Sequence, residues 1–169
     1  MRASALVELY EYHYWANPKL FGVLEQLTPE QFTQSVAGSY GSIRNTLVHV
    51  VSAEWGWLDR CGGPKRGKAL NPADYDTLDS LLRVSASVEG YMRTFVGGLT
   101  DDDLAQPIEF SLGGPTHCLS LGELLHHAAI HAAHHRGQIS LLLRTLGVVP
   151  GNFDMLIDSI ERAHPAPQK

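Results

Sequence analysis

Apolar residues return every three or four positions along four stretches of the chain, the spacing that lines one face of a helix. Leu6, Leu9, Tyr10, Leu20, Phe21 and Leu24, with the polar His13 and Asn17 on the same face, predict a first helix from about Ala3 to Gln26. Pro18 lies inside it and predicts a kink, because proline removes a backbone donor. Ile43, Leu47, Val50, Val51, Trp57 and Leu58 predict a second helix, capped by Ser42 and stopped near Cys61-Gly62-Gly63-Pro64. A third runs from its cap Thr77 through Leu78, Leu81, Leu82, Val88, Met92 and Phe95 to Gly97-Gly98. Ser120 caps the fourth, which ends at Gly147.

Between these lie shorter pieces. Thr28-Pro29 and Thr100-Asp101 each open a short helical turn, and Phe153 to Arg162 reads as a short final helix after Pro150-Gly151-Asn152. Ile108 to Cys118, broken by Gly113-Gly114-Pro115, predicts a small hairpin or an extended loop. Four amphipathic helices cannot bury their stripes alone, so the expected fold is all-α, a four-helix bundle with short accessory helices. The connection over residues 62–76 is long enough to cross the bundle rather than turn back. One domain over residues 1–163 is expected, with 164–169 as a frayed tail.

Composition narrows the classes of partner. The 169 residues carry a net charge of −5, which speaks against nucleic acid, a ligand recognised by clustered Lys and Arg. No stretch reads as a signal peptide or a membrane span, so a cytoplasmic protein without membrane attachment is expected. Cys61 and Cys118 lack metal or redox spacing and read as ordinary thiols, with no disulfide.

The fourth helix changes the picture, because it holds histidines at 126, 127, 131, 134 and 135. At 100° per residue, His135 falls about 40° and His131 about 80° from the centre of the apolar stripe, whereas His126, His127 and His134 lie at about 120° or beyond. His131 and His135 therefore point inward, four residues apart, where two imidazoles can share one ion. A metal site with open positions needs a third ligand, and His49 is the only histidine of the second helix, beside the small Thr46 and Ala53. Each of these histidines also has a plainer reading as a hydrogen-bonded core residue. Glu54 projects onto the middle of its helix's stripe, where it needs a partner: Arg136, Arg144 or a ligand histidine. His13 is read either as a pocket lining or as an internal hydrogen-bonding group.

The segments Tyr14-Trp15-Ala16-Asn17, Leu47-Val48-His49-Val50-Val51-Ser52-Ala53-Glu54 and His131-Ala132-Ala133-His134-His135-Arg136-Gly137-Gln138-Ile139 together resemble the DinB/YfiT-like family of four-helix-bundle metalloproteins, over nearly the whole chain. The last block is the most specific, and Pro18 departs from the basic or polar residue usual after Y-W-A-N. The resemblance implies a divalent ion held by one histidine of the second helix and an H-x-x-x-H pair of the last. By position these are His49, His131 and His135, the residues that the helical projection selects.

Three neutral imidazoles with open positions suit zinc or nickel, and also admit ferrous iron or manganese. The resemblance implies a thiol-dependent S-transferase type of enzyme, acting on a small-molecule substrate with a low-molecular-weight thiol, and a homodimer. Two alternatives stand beside it. One is a metal-dependent hydrolase, although no H-E-x-x-H motif supplies a base; the other is a non-catalytic metal-binding or stress-response protein.

Overall fold

The computed structural model describes residues 1–164; most of the expected frayed tail lies outside the described residues. Seven helices and one hairpin follow in order: α1 (Ala3–Leu24), α2 (Pro29–Thr33), α3 (Ile43–Arg60), α4 (Leu78–Gly97), α5 (Asp101–Leu104), β1 (Pro107–Ser111), β2 (Thr116–Ser120), α6 (Leu121–Thr145) and α7 (Met155–Ala163). The fold is all-α apart from that hairpin, a four-helix bundle of α1, α3, α4 and α6 with short accessory helices.

Local chemistry sets the helix ends where the sequence places them. Ser42, Thr77 and Ser120 each accept a hydrogen bond from a backbone N–H of the first turn, and Ser120 forms a reciprocal capping box with Glu123. Thr28 and Thr100 cap α2 and α5 in the same way. α1 stops at Leu24, two residues before its expected end, because Gln26 and Leu27 donate three residues back and tighten the last turn. It runs through Pro18, which removes one backbone donor without ending the helix. α7 starts at Met155 rather than Phe153, since Asp154 supplies the cap.

Two apolar clusters fill the bundle. One joins Leu6 and Tyr10 of α1, Leu58 of α3, Met92 and Val96 of α4, and Leu124 and Leu125 of α6. The other joins Leu20 and Leu24 of α1, Ile43 and Leu47 of α3, Leu81 of α4, and Ile139 and Leu143 of α6. The first cluster thus gathers the beginnings of α1 and α6 with the ends of α3 and α4, and the second reverses this. α1 and α6 run one way, α3 and α4 the other. Because α3 and α4 are parallel neighbours, the chain between them travels the length of the bundle, as its length led one to expect.

The segment over 108–118 is a hairpin, with Ile108 opposite Leu119 and Phe110 opposite His117. Its two-residue turn needs positive φ at both positions, which Gly113 (φ 66) and Gly114 (φ 105) supply. Ile108 and Phe110 pack on the first apolar cluster, so the hairpin is anchored beside the end of α3 and the start of α6. Cys61 is buried and Cys118 exposed, both as free thiols. Among the described residues, no helix is long and apolar enough to cross a membrane.

Candidate metal centre

α3 and α6 make the broadest helix pairing of the bundle, and His49 meets His131 and His135 across it. One nitrogen from each ring lies within 4.8 Å of the other two. His131 Nε2 is 3.2 Å from His49 Nε2 and 3.2 Å from His135 Nε2. His135 is buried, while His49 and His131 are half-buried and open toward solvent on one side.

Counting hydrogens shows what these nitrogens are for. Gln138 Oε1 accepts from His135 Nδ1 at 2.7 Å and from the Ser39 hydroxyl at 2.7 Å, which places the His135 proton on Nδ1 and bares Nε2. The Tyr40 hydroxyl, 2.9 Å from His49 Nε2, donates to it, so this nitrogen also presents a lone pair. With the Tyr40 hydroxyl on His49 Nε2, a proton on His131 Nε2 serves the lone pair of His135 Nε2, so three nitrogens that can each present a lone pair are held together by two hydrogens. A cation in reach of all three nitrogens satisfies every one of them, and neutral imidazole is a fitting ligand for a divalent ion.

The electrostatics keep the rings in that neutral state. Burial, followed by the nearness of His135, His49, His127 and His134, pushes the His131 pKa down from 6.5 to about 4. His49 is lowered by burial and by His135. His135 is lowered by burial too, against a partial lift from its bond to Gln138. Metal binding near neutral pH therefore displaces few protons from these residues.

Two residues that hold the cluster carried no assigned role in the sequence. Gln138 sits one turn beyond His135 and fixes its ring, while its amide Nε2 donates to His134 at 2.9 Å. Its i+3 spacing from a ligand was the available signal. Tyr40 reaches His49 from the loop before α3, which turns through Ser39 (φ 48), the one non-glycine residue with positive φ among those described. Such a conformation is uncommon outside glycine, and here the same Ser39 bonds Gln138 and lies 3.0 Å from the Thr46 hydroxyl.

The remaining histidines separate as the projection implies. His126 and His134 are exposed, and His127 packs edge-on against Trp57. His13 belongs to a different assembly, a buried polar layer between the two apolar clusters. Arg136 donates to His13 Nδ1 at 2.9 Å and to Asn17 Oδ1 at 3.1 Å, and Tyr14 donates to Glu54 Oε1 at 2.7 Å. With Nδ1 accepting, His13 carries its proton on Nε2, 3.4 Å from Glu54 Oε2. Burial alone would raise the Glu54 carboxyl, yet His13, Tyr14 and Arg136 together hold it below its usual range. Glu54 thus pairs chiefly with α1, and not with Arg144 or a histidine of the cluster.

Beside the cluster, His49, Trp57, Arg60, Arg66, Leu112 and His131 line a cleft of about 480 Å3. His49 and His131 form one wall of it, so the lone pairs of the cluster are reachable by a small molecule.

Comparison with known proteins agrees with this fold. The chain is 25% identical over 163 residues to YizA, an uncharacterised protein of Bacillus subtilis strain 168, covering 94% of this chain and 99% of that one. It is 27% identical over 161 residues to Protein DinB of the same organism, covering 87% and 89%. A crystal structure of a DinB-like protein from Bacillus cereus ATCC 10987 superposes with a TM-score of 0.72 at 20% identity, covering 88% of this chain and 95% of that one, a likeness of fold. The family model described as the DinB family matches residues 1–164, and the chain belongs to that family.

Proposed function

We propose that this protein is a metal-dependent enzyme that activates a small thiol for transfer to an electrophile. The observation that carries the reading is the convergence of three imidazole Nε2 atoms, two of them, from His49 and His131, on the wall of an open cleft. His49, His131 and His135 would hold the ion, zinc or nickel being the best match and ferrous iron or manganese the next. A bound ion of this kind acts as a Lewis acid and lowers the pKa of a thiol enough to favour thiolate at neutral pH.

The chain's own residues do the rest. Gln138 fixes the His135 ring, so that its lone pair points at the cluster. Trp57 and Leu112 give the cleft apolar walls beside His131, which limits water at the reacting sulfur. Tyr40 covers the His49 side, where its hydroxyl bonds Nε2. The choice of thiol over water rests on the missing base. Glu54, the nearby carboxylate that the sequence singled out, spends its oxygens on Tyr14 and His13. A thiol ionises far more readily than water and needs no such base, whereas hydrolysis commonly does.

The test is elemental analysis of the purified chain beside His131→Ala, followed by thioether formation from 2-mercaptoethanol and 1-chloro-2,4-dinitrobenzene. The parent should retain a divalent metal and accelerate the reaction, and the variant should lose both. Equal metal in the variant refutes the ligand set; a metal-loaded parent that gives no acceleration with this or other small thiols refutes the transferase reading.

A further inference from the structure

The cleft beside the histidines has a cationic end that the metal reading does not use. Arg66 comes from the connection after α3 and Arg60 from the last turn of α3, and both guanidinium groups converge on Gly56. A Cβ built at that glycine would lie 2.9 Å from Arg66 Nη1 and 3.2 Å from Arg60 Nη1. The bare glycine backbone lets two guanidinium groups approach the same stretch of helix.

Two like charges side by side repel, and a protein normally places a carboxylate between them. Here no carboxylate bonds either guanidinium among the described residues. Arg60 Nη1 donates to the Gly56 carbonyl, with its guanidinium 5.1 Å from the Trp57 ring centroid. Arg66 Nη1 donates to the carbonyl and hydroxyl oxygens of Ser52, while its Nε is buried without a partner. Asp59 of α3 accepts from the Arg66 backbone N–H at 3.1 Å and pairs with Lys65 at 2.9 Å, not with either guanidinium. Among the described residues neither arginine forms an ion pair. Burial, and then the charge of Arg60, lower the Arg66 pKa, and the charge of Asp59 offsets them only in part.

We propose that the cleft takes an acidic small molecule whose carboxylate or phosphate group seats between Arg60 and Arg66 while its other end reaches His49 and His131. Guanidinium forks match both oxyanions, and both arginines line the same cleft as the two histidines. Trp57 and Leu112 would flank the linking carbon chain. On the proposed function, which this inference deepens, the molecule at the metal is then an acidic thiol or an acidic electrophile.

The experiment separates the two readings. In the chelator-treated full chain, arginine Nε–H signals are followed by NMR during titration with succinate and with inorganic phosphate. Saturable shifts at Arg66 are expected with at least one of them, and the one that binds names the oxyanion. Arg60→Gln, an exposed position that does not threaten folding, should weaken that binding at least tenfold while leaving zinc affinity unchanged. No shift with either anion, or an unchanged affinity in the variant, overturns the proposal whatever the metal does. In the zinc-loaded chain, mercaptosuccinate should bind at least tenfold more tightly than 2-mercaptoethanol, and Arg60→Gln should erase the difference. Equal binding of the two thiols to the parent overturns the placement of acid and sulfur in one cleft, and loss of all thiol binding with succinate binding intact overturns the proposed function alone.

Discussion

The phenol of Tyr40 lies flat on the imidazole of His49, ring centroids 4.0 Å apart and planes 19° from parallel, with its hydroxyl 2.9 Å from Nε2. In the metal-free chain this hydroxyl occupies the lone pair that an ion would use. Tyr40→Phe keeps the stack and removes the competitor. One hydrogen bond is worth about 0.5–1.5 kcal/mol, so zinc affinity should rise by up to about tenfold. Competition against a chromophoric chelator measures it; a fall in affinity would mean that the hydroxyl supports the loaded site.

Gln138 orients His135 without reaching the point where the three Nε2 atoms converge. Gln138→Ala frees the ring and the Ser39 hydroxyl together, and loss of such a support typically costs about 10–100-fold in metal affinity. His135→Ala should lose the metal altogether, which keeps support and ligation distinguishable by elemental analysis.

The buried polar layer makes a separate prediction about stability. Glu54→Ala would leave Arg136 and His13 without their carboxylate in the bundle interior, at a cost of about 3–5 kcal/mol read from the urea midpoint. Replacing both members, Glu54→Leu with Arg136→Met, should recover part of that loss, because no charge is then stranded.

Acid should weaken the metal-free fold through the cluster. In the unfolded chain His131 takes its proton near its ordinary value of 6.5, whereas in the fold it stays neutral until about 4. Between those values the unfolded state binds more protons, so the stability contributed by the neutral ring is present above pH 6.5, falls as pH drops toward 4, and levels off below. His131→Asn should flatten that part of the profile of unfolding free energy against pH.

What was legible in the sequence is local. Ser42, Thr77 and Ser120 announce helix starts because capping involves only the next three residues. His131 and His135 announce a shared face because they sit one turn apart, and a single histidine on α3 completed the set. Tyr40 was not legible, since its approach to His49 depends on the left-handed turn at Ser39, a residue type that gives no warning of it. The pairing of Glu54 was only half legible. A carboxylate on an apolar stripe demanded a partner, but choosing His13 and Tyr14 over Arg144 required knowing which helices are neighbours.

His49 and His131 are 82 positions apart in sequence, and the chain between them includes the long passage along the bundle and all of α4. Chelation by all three histidines would therefore wait for α6 to dock on α3, at the entropic expense of closing a large loop. An ion bridging α3 and α6 would act as a clasp on the topology itself: it would favour only the assembled chain, so thermal tolerance should track metal supply.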